Sequence, residues 1–115
     1  MRIIRNNESE AGAHSGKCKI FEYSFGDKDI DLGIAVITGR YPEEGYCVNL
    51  ISKELVYVVG GSGTLHLGNG NKVEFAEGDA ILIDNNEKYY WDCEYCKVAM
   101  ICTPSFTKEQ YKVIK

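Results

Sequence analysis

The sequence contains no run of about 18 consecutive apolar residues, so no stretch of it is built to cross a bilayer as a helix. It also lacks a basic excess: 13 Lys and Arg stand against 17 Asp and Glu, for a net charge of −4. Without a basic field to gather phosphates, nucleic acid and anionic membrane drop out as expected partners, and a small ligand or another protein chain replaces them. The N-terminus is charged and polar from Arg5 to Glu10 and shows no apolar secretion signal, which sets the cytoplasm as the expected compartment. The five cysteines are an odd number, and in that compartment they read as reduced thiols rather than a disulfide framework. Histidine is scarce, present only at positions 14 and 66.

Helical periodicity is missing over most of the chain, and what replaces it has a step of two. Phe21, Tyr23 and Phe25 alternate with Glu22 and Ser24, and Ile30, Leu32, Ile34 and Val36 repeat at the spacing that lines one face of a strand. Further short runs follow at Tyr46 to Ile51, Leu55 to Val59, Thr64 to Leu67, Lys72 to Phe75, Ala80 to Ile83, Tyr89 to Trp91 and Lys97 to Cys102. Turn signals separate them: Gly26-Asp27, Gly39 through Gly45, Gly60-Gly61-Ser62-Gly63, Gly68-Asn69-Gly70, Gly78-Asp79 and Asp84 to Glu87. Many short strands need a second layer or closure to cover their apolar faces and edges, so the expected class is all-β, a sandwich or barrel. At the C-terminal end, Thr107 with Gln110 has capping-box spacing, predicting a short helix near 107–113 that packs Phe106, Tyr111 and Ile114. Residues 1–17 show no clear period and read as a flexible or strand-swapped approach to one domain that spans 1–115, with His14 inside that approach.

Two segments resemble the conserved motifs of the cupin superfamily. Gly39 to Gly63, GRYPEEGYCVNLISKELVYVVGGSG, is similar to the first, in which a glycine opens a strand with two histidines spaced one apart, then a glutamate, then an apolar strand and a glycine turn. Gly78 to Trp91, GDAILIDNNEKYYW, resembles the second, in which Gly-Asp leads through a strand and turn to a final histidine, and CTPSF at 102–106 looks like the end of the last barrel strand. The resemblance implies a cupin-type double-stranded β-helix, or jelly-roll, barrel of antiparallel strands. It also locates departures. Glu54 holds the position of the motif's glutamate, but the paired histidines fall on Val48 and Leu50, or on Cys47 and Asn49, depending on the gap. Tyr89 takes the place of the second motif's histidine, and Asn85 that of its turn proline. With three of four family ligands lost, one carboxylate and a phenol leave most of a coordination shell empty, so no metal and no cofactor are expected. His66 does not compensate, because alternation with Leu65 and Leu67 sends it to the opposite face of its strand.

These residues define the expected site. Glu54 shares a strand face with Val56 and Val58, where apolar walls raise a carboxyl pKa toward the range of general acid or base work; its alternative is a structural pairing with Lys53, Arg40 or a buried hydroxyl. Tyr89 and Trp91 alternate onto one face and offer flat apolar surfaces with one polar handle each. Asn49 joins them if the Cys47/Asn49 pair, rather than Val48/Leu50, points inward. Cys93 and Cys96 form a lone CxxC that reads as a pair of surface thiols in a hairpin turn, and Arg40 reads as a loop entry or a weaker anchor for an acidic group. The leading expectation is a metal-independent barrel that binds an uncharged or weakly polar small molecule through Asn49, Glu54, Tyr89 and Trp91. The alternatives are a metal-free isomerase or epimerase, acting on a sugar or small carboxylate with Glu54 as base and Tyr89 as proton donor, and a homodimerising domain with a filled barrel whose outward Leu55 and Tyr57 meet a partner sheet.

Overall fold

The computed structural model describes the backbone of residues 1–115 and every side chain except those of residues 13 and 14, so the expectation for His14 lies outside the described residues. A 3₁₀ turn at Asn6–Glu8 precedes β1 (Glu10–Ser15), β2 (Cys18–Tyr23), β3 (Asp31–Tyr41), β4 (Tyr46–Asn49), β5 (Lys53–Leu67), β6 (Lys72–Ala76), β7 (Ala80–Ile83) and β8 (Tyr89–Thr103). A second 3₁₀ turn at Lys108–Gln110 then leads into β9 (Tyr111–Ile114). All pairings are antiparallel, and two 15-residue strands organise them: β8 lies between β3 and β5, and the far edge of β5 carries β7 and then β6. The sheet curls on itself into a β-barrel.

Alternation explains which faces are buried. Along β5, Glu54, Val56 and Val58 are buried while Lys53, Leu55, Tyr57 and Val59 are exposed, the pattern of a strand with one wall on the core. The sequence splits β5 and β8 into shorter strands at their glycines and cysteines, but the structure runs each one through. Gly61 lies at φ +79°, with the Tyr95 carbonyl where a Cβ would stand, so only glycine lets β5 bend against β8 here. In β8 the register slips between Cys93 and Cys96 against β3 and between Asp92 and Tyr95 against β5. The extra residue puts Glu94 and Tyr95 outside in succession, and Cys93 and Cys96 both end up inside. The expectation of surface turn thiols is therefore corrected. Both cysteines are buried, with their sulfurs 3.2 Å apart. The shared proton holds the Cys93 thiol below its ordinary value and pushes Cys96 up.

In β2 and β3, Cys18, Ile20, Gly33, Ala35 and Ile37 face the interior, while Leu32, Ile34 and Val36 are half-buried on the other face. Part of the N-terminal approach is a paired strand, with β1 hydrogen-bonded to β2 from Glu10↔Glu22 to Ser15↔Cys18. The expected C-terminal helix is limited to three residues of 3₁₀ turn, because Thr107 makes no side-chain cap and β9 instead gives β4 an edge partner from Tyr46↔Ile114 to Asn49↔Tyr111. Gln110 turns inward there. It accepts from the Ile51 and Ser52 amides at 3.1 and 2.7 Å and donates to Ser52 Oγ at 2.8 Å, which fixes the loop just before Glu54.

Candidate functional site in the barrel

The curled sheet encloses a cavity of about 70 Å³ lined by aromatic and aliphatic side chains and a few polar ones. Strand β5 brings Glu54 to it, β8 brings Tyr89 and Trp91, and β4 brings Cys47 and Asn49, so the inward pair on β4 is Cys47/Asn49. The structure thus gathers all four sequence-predicted site residues, Asn49, Glu54, Tyr89 and Trp91, around one space.

Glu54 is the hub. Asn49 Nδ2 donates to its Oε2 at 3.0 Å, and the Tyr89 hydroxyl donates to the same oxygen at 3.4 Å. No cation reaches it among the described residues: Lys53 pairs with Asp84, while Arg40 holds the Pro42 and Gly45 carbonyls and stacks over Tyr90. Burial is the main reason its pKa rises from 4.5 to about 7; the hydrogen bonds from Tyr89 and Asn49 oppose the rise and the charge of Asp31 adds to it. The same burial pushes the Tyr89 phenol well above 10, with the Glu54 carboxylate reinforcing it. Glu54 can therefore exchange a proton near neutral pH, whereas Tyr89 keeps its own and serves as a donor in place.

Asn49 carries the least satisfied atom of the site. Its Nδ2 is committed to Glu54, while Oδ1 is buried with no hydrogen-bond partner. A buried acceptor without a donor costs about 1–3 kcal/mol, which a bound hydroxyl or amino group would recover. Trp91 packs edge-on against Phe75 and Tyr89, with ring centroids 5.5 and 6.3 Å apart, so it serves the core and the cavity together.

Several lining residues escaped the sequence reading. Tyr41 and Tyr111 close one side with their hydroxyls 3.0 Å apart, and burial pushes both phenols upward. Tyr111 was hidden inside the capping-box pattern, although its alternation with Val113 is a strand signal. Glu22 and Asp31 also line the cavity, from β2 and β3. Among the described residues, His66 lies outside the barrel, stacked on Tyr90 at 4.4 Å.

No family model matches the chain, and no curated protein does. Solved structures do match. A single-residue variant of Streptomyces PAC13 with uridine superposes with a TM-score of 0.83 at 18% identity, covering 95% of this chain and 87% of that one. Pac13 is described as a nucleoside dehydratase. An RmlC-like cupin from Shewanella frigidimarina gives 0.74 at 14% identity, covering 91% and 92%, and KdgF from a Halomonas species gives 0.72 at 14%, covering 91% and 96%. The chain has the cupin fold.

A metal of the kind many cupins hold does not fit these residues. Where the fold converges its ligands, this chain offers a carboxylate, a phenol that retains its proton, a carboxamide already engaged and the Cys47 thiol, whose pKa burial pushes up to about 12. Among the described residues, no group of three or more His, Cys, Asp or Glu side chains is arranged to hold a metal ion.

Proposed function

We propose that this barrel is a metal-independent binding site for a small organic molecule carrying hydroxyl or amino donors, held at its base by Glu54, Asn49 and Tyr89. The observation that carries the reading is the Asn49 Oδ1 atom, buried and unpartnered beside a buried carboxyl whose two protein hydrogen bonds both fall on one oxygen. Aromatic walls with a few convergent polar groups are what small-molecule sites are made of. The solved complex of a similarly folded protein with uridine adds support for a ligand rich in hydroxyls. A thermal-shift screen of nucleosides, sugars and small amines tests the proposal: a binder raises stability by about 2.7 kcal/mol at a hundred times its dissociation constant. The shift should shrink in Glu54→Gln and Tyr89→Phe, and hits unaffected by either substitution would move the site elsewhere.

A second reading, acid–base catalysis without metal, is favoured by the titration of Glu54 near pH 7. Glu54 then acts as both acid and base, and Tyr89 orients it rather than donating a proton, because its phenol holds its proton too firmly.

The metal-free reading has its own check. Elemental analysis of purified protein should find less than stoichiometric zinc, iron, nickel and manganese; one tightly held ion per chain, lost on Glu54→Gln, contradicts it.

We also propose that a second copy of the chain covers the outer face of β5 and its neighbours. Tyr23, Leu32, Ile101, Leu55 and Leu82 follow one another across five strands in register, and Tyr57 lies beside this row. Leu55, Tyr57 and Leu82 are 47%, 52% and 57% exposed, a continuity of apolar surface that monomers rarely leave open. Sedimentation should give a dimer that Tyr57→Glu converts to monomer; a monomeric wild type at micromolar concentration refutes the assignment.

A further inference from the structure

The ionisable carboxyl groups give the cavity charge of one sign. Glu22, Asp31 and Glu54 all line it, and among the described residues no Lys, Arg or His does. None of the three carboxylates takes part in an ion pair among the described residues, where the salt bridges engage Asp27, Asp84, Asp92 and Glu44 instead. They feel one another: Asp31 acts on both Glu22 and Glu54, raising each, although burial is the larger cause in both cases. One of Asp31's oxygens accepts from the Phe106 amide at 2.8 Å. The carboxylates do not converge on one point as metal ligands would, but spread from the half-buried Glu22 and Asp31 to the buried Glu54.

A cluster of acids alone would mean little, but Asn49 supplies an independent observation. It is 5% exposed, lines the same cavity, and holds a buried carbonyl oxygen with no donor. Its only side-chain donor group, Nδ2, is already engaged by Glu54. The space therefore joins three carboxyl groups and a carbonyl oxygen without a donor, with no cationic side chain among the described residues, beside Tyr89 and Trp91. An anion entering it would meet like charge at low dielectric, whereas a cation gains from each carboxylate and from aromatic rings.

From this distribution, and resting on the small-molecule reading above, we infer that the barrel selects a protonated amine, with the ammonium donating to Asn49 Oδ1 and the Glu54 carboxylate, and that it rejects phosphates and carboxylates. The ligand class is thus an amino compound such as an amino sugar or an alkyl or arylalkyl amine, and not a nucleotide, sugar phosphate or organic acid.

Three probes of one skeleton test it: benzylamine, benzyl alcohol and benzoate, which place a cation, a neutral hydroxyl and an anion on the same ring. Trp91, the only tryptophan in the chain, lines the cavity and reports occupancy by its emission, with thermal shift as the second readout. Benzylamine should bind at least about tenfold more tightly than benzyl alcohol, and benzoate should bind more weakly than either. In a Glu22→Gln/Asp31→Asn double variant the ratio of amine to alcohol affinity should fall toward one; the carboxamide introduced at position 31 keeps an acceptor for the Phe106 amide, so the fold is preserved. Equal or preferred binding of the alcohol or of benzoate overturns the inference while leaving the small-molecule site standing, as does a set of nucleoside or sugar hits with no response to benzylamine. A Trp91 signal that responds to none of these compounds overturns the binding reading itself, and the inference with it.

Discussion

Glu54→Gln should stabilise the protein by about 3 kcal/mol at pH 8 and leave its stability at pH 4 nearly unchanged. In the unfolded chain this carboxyl ionises near 4.5, and in the folded chain only at about 7. Below 4.5 both states hold the proton and burial of the neutral acid carries no charge penalty. Between the two values the unfolded state releases its proton while the folded state keeps it, so stability falls as pH rises, and above 7 the full loss persists. Glutamine keeps an acceptor for Asn49 and Tyr89 and removes the titration. Urea unfolding followed at several pH values should therefore show a wild-type slope between pH 4.5 and 7 that the variant lacks. A wild type whose stability is flat or rising through this window contradicts the placement of Glu54 in an apolar, cation-free pocket. A buried carboxyl that costs stability at working pH is the kind of feature retained where a site needs it.

Trp91→Ala should cost about 3–5 kcal/mol, a large share of the roughly 5–15 kcal/mol that holds a domain of this size together. Trp91 is 3% exposed and braced edge-on by Phe75 and Tyr89, so truncation removes both ring contacts and enlarges the cavity into the core. Trp91→Phe, which keeps a ring between those neighbours, should lose much less. Thermal melts of the two variants check this. If alanine lowers the midpoint no further than phenylalanine does, Trp91 belongs to the ligand surface and contributes little to the core.

How far the sequence discloses this arrangement depends on which signals oppose each other. Glu54 was legible because it sits in a clean alternation with Val56 and Val58 and because the motif places a carboxylate there. Asn49 was visible as one of two choices, since Cys47, Val48 and Leu50 give β4 no clear polarity; the structure buries Val48 as well, which is why periodicity could not decide. The alternation of β3 marks two faces without saying which one turns inward. Leu32, Ile34 and Val36 look like the core face, but a barrel with a cavity needs small residues inside, and Gly33 and Ala35 supply them while the larger residues turn outward. Glu22 and Asp31 were hidden for the same reason. The fate of Cys93 and Cys96 depends on a bulge, and an inserted residue that shifts a strand by one leaves no mark in a two-residue repeat. The C-terminal helix failed because a capping-box spacing is a local preference, and the open edge of β4 offered β9 four residue pairings instead.

The central claim, that a small molecule occupies the barrel against Glu54 and Asn49, is tested most directly by a crystal structure of the protein soaked with the tightest binder from the nucleoside, sugar and amine panel. The account predicts ligand density inside the barrel, with a hydroxyl or amino group within hydrogen-bond distance of Asn49 Oδ1 and of a Glu54 carboxylate oxygen. Density at any other place on the molecule, or a barrel closed by its own side chains with Asn49 Oδ1 paired to a protein donor, would contradict it.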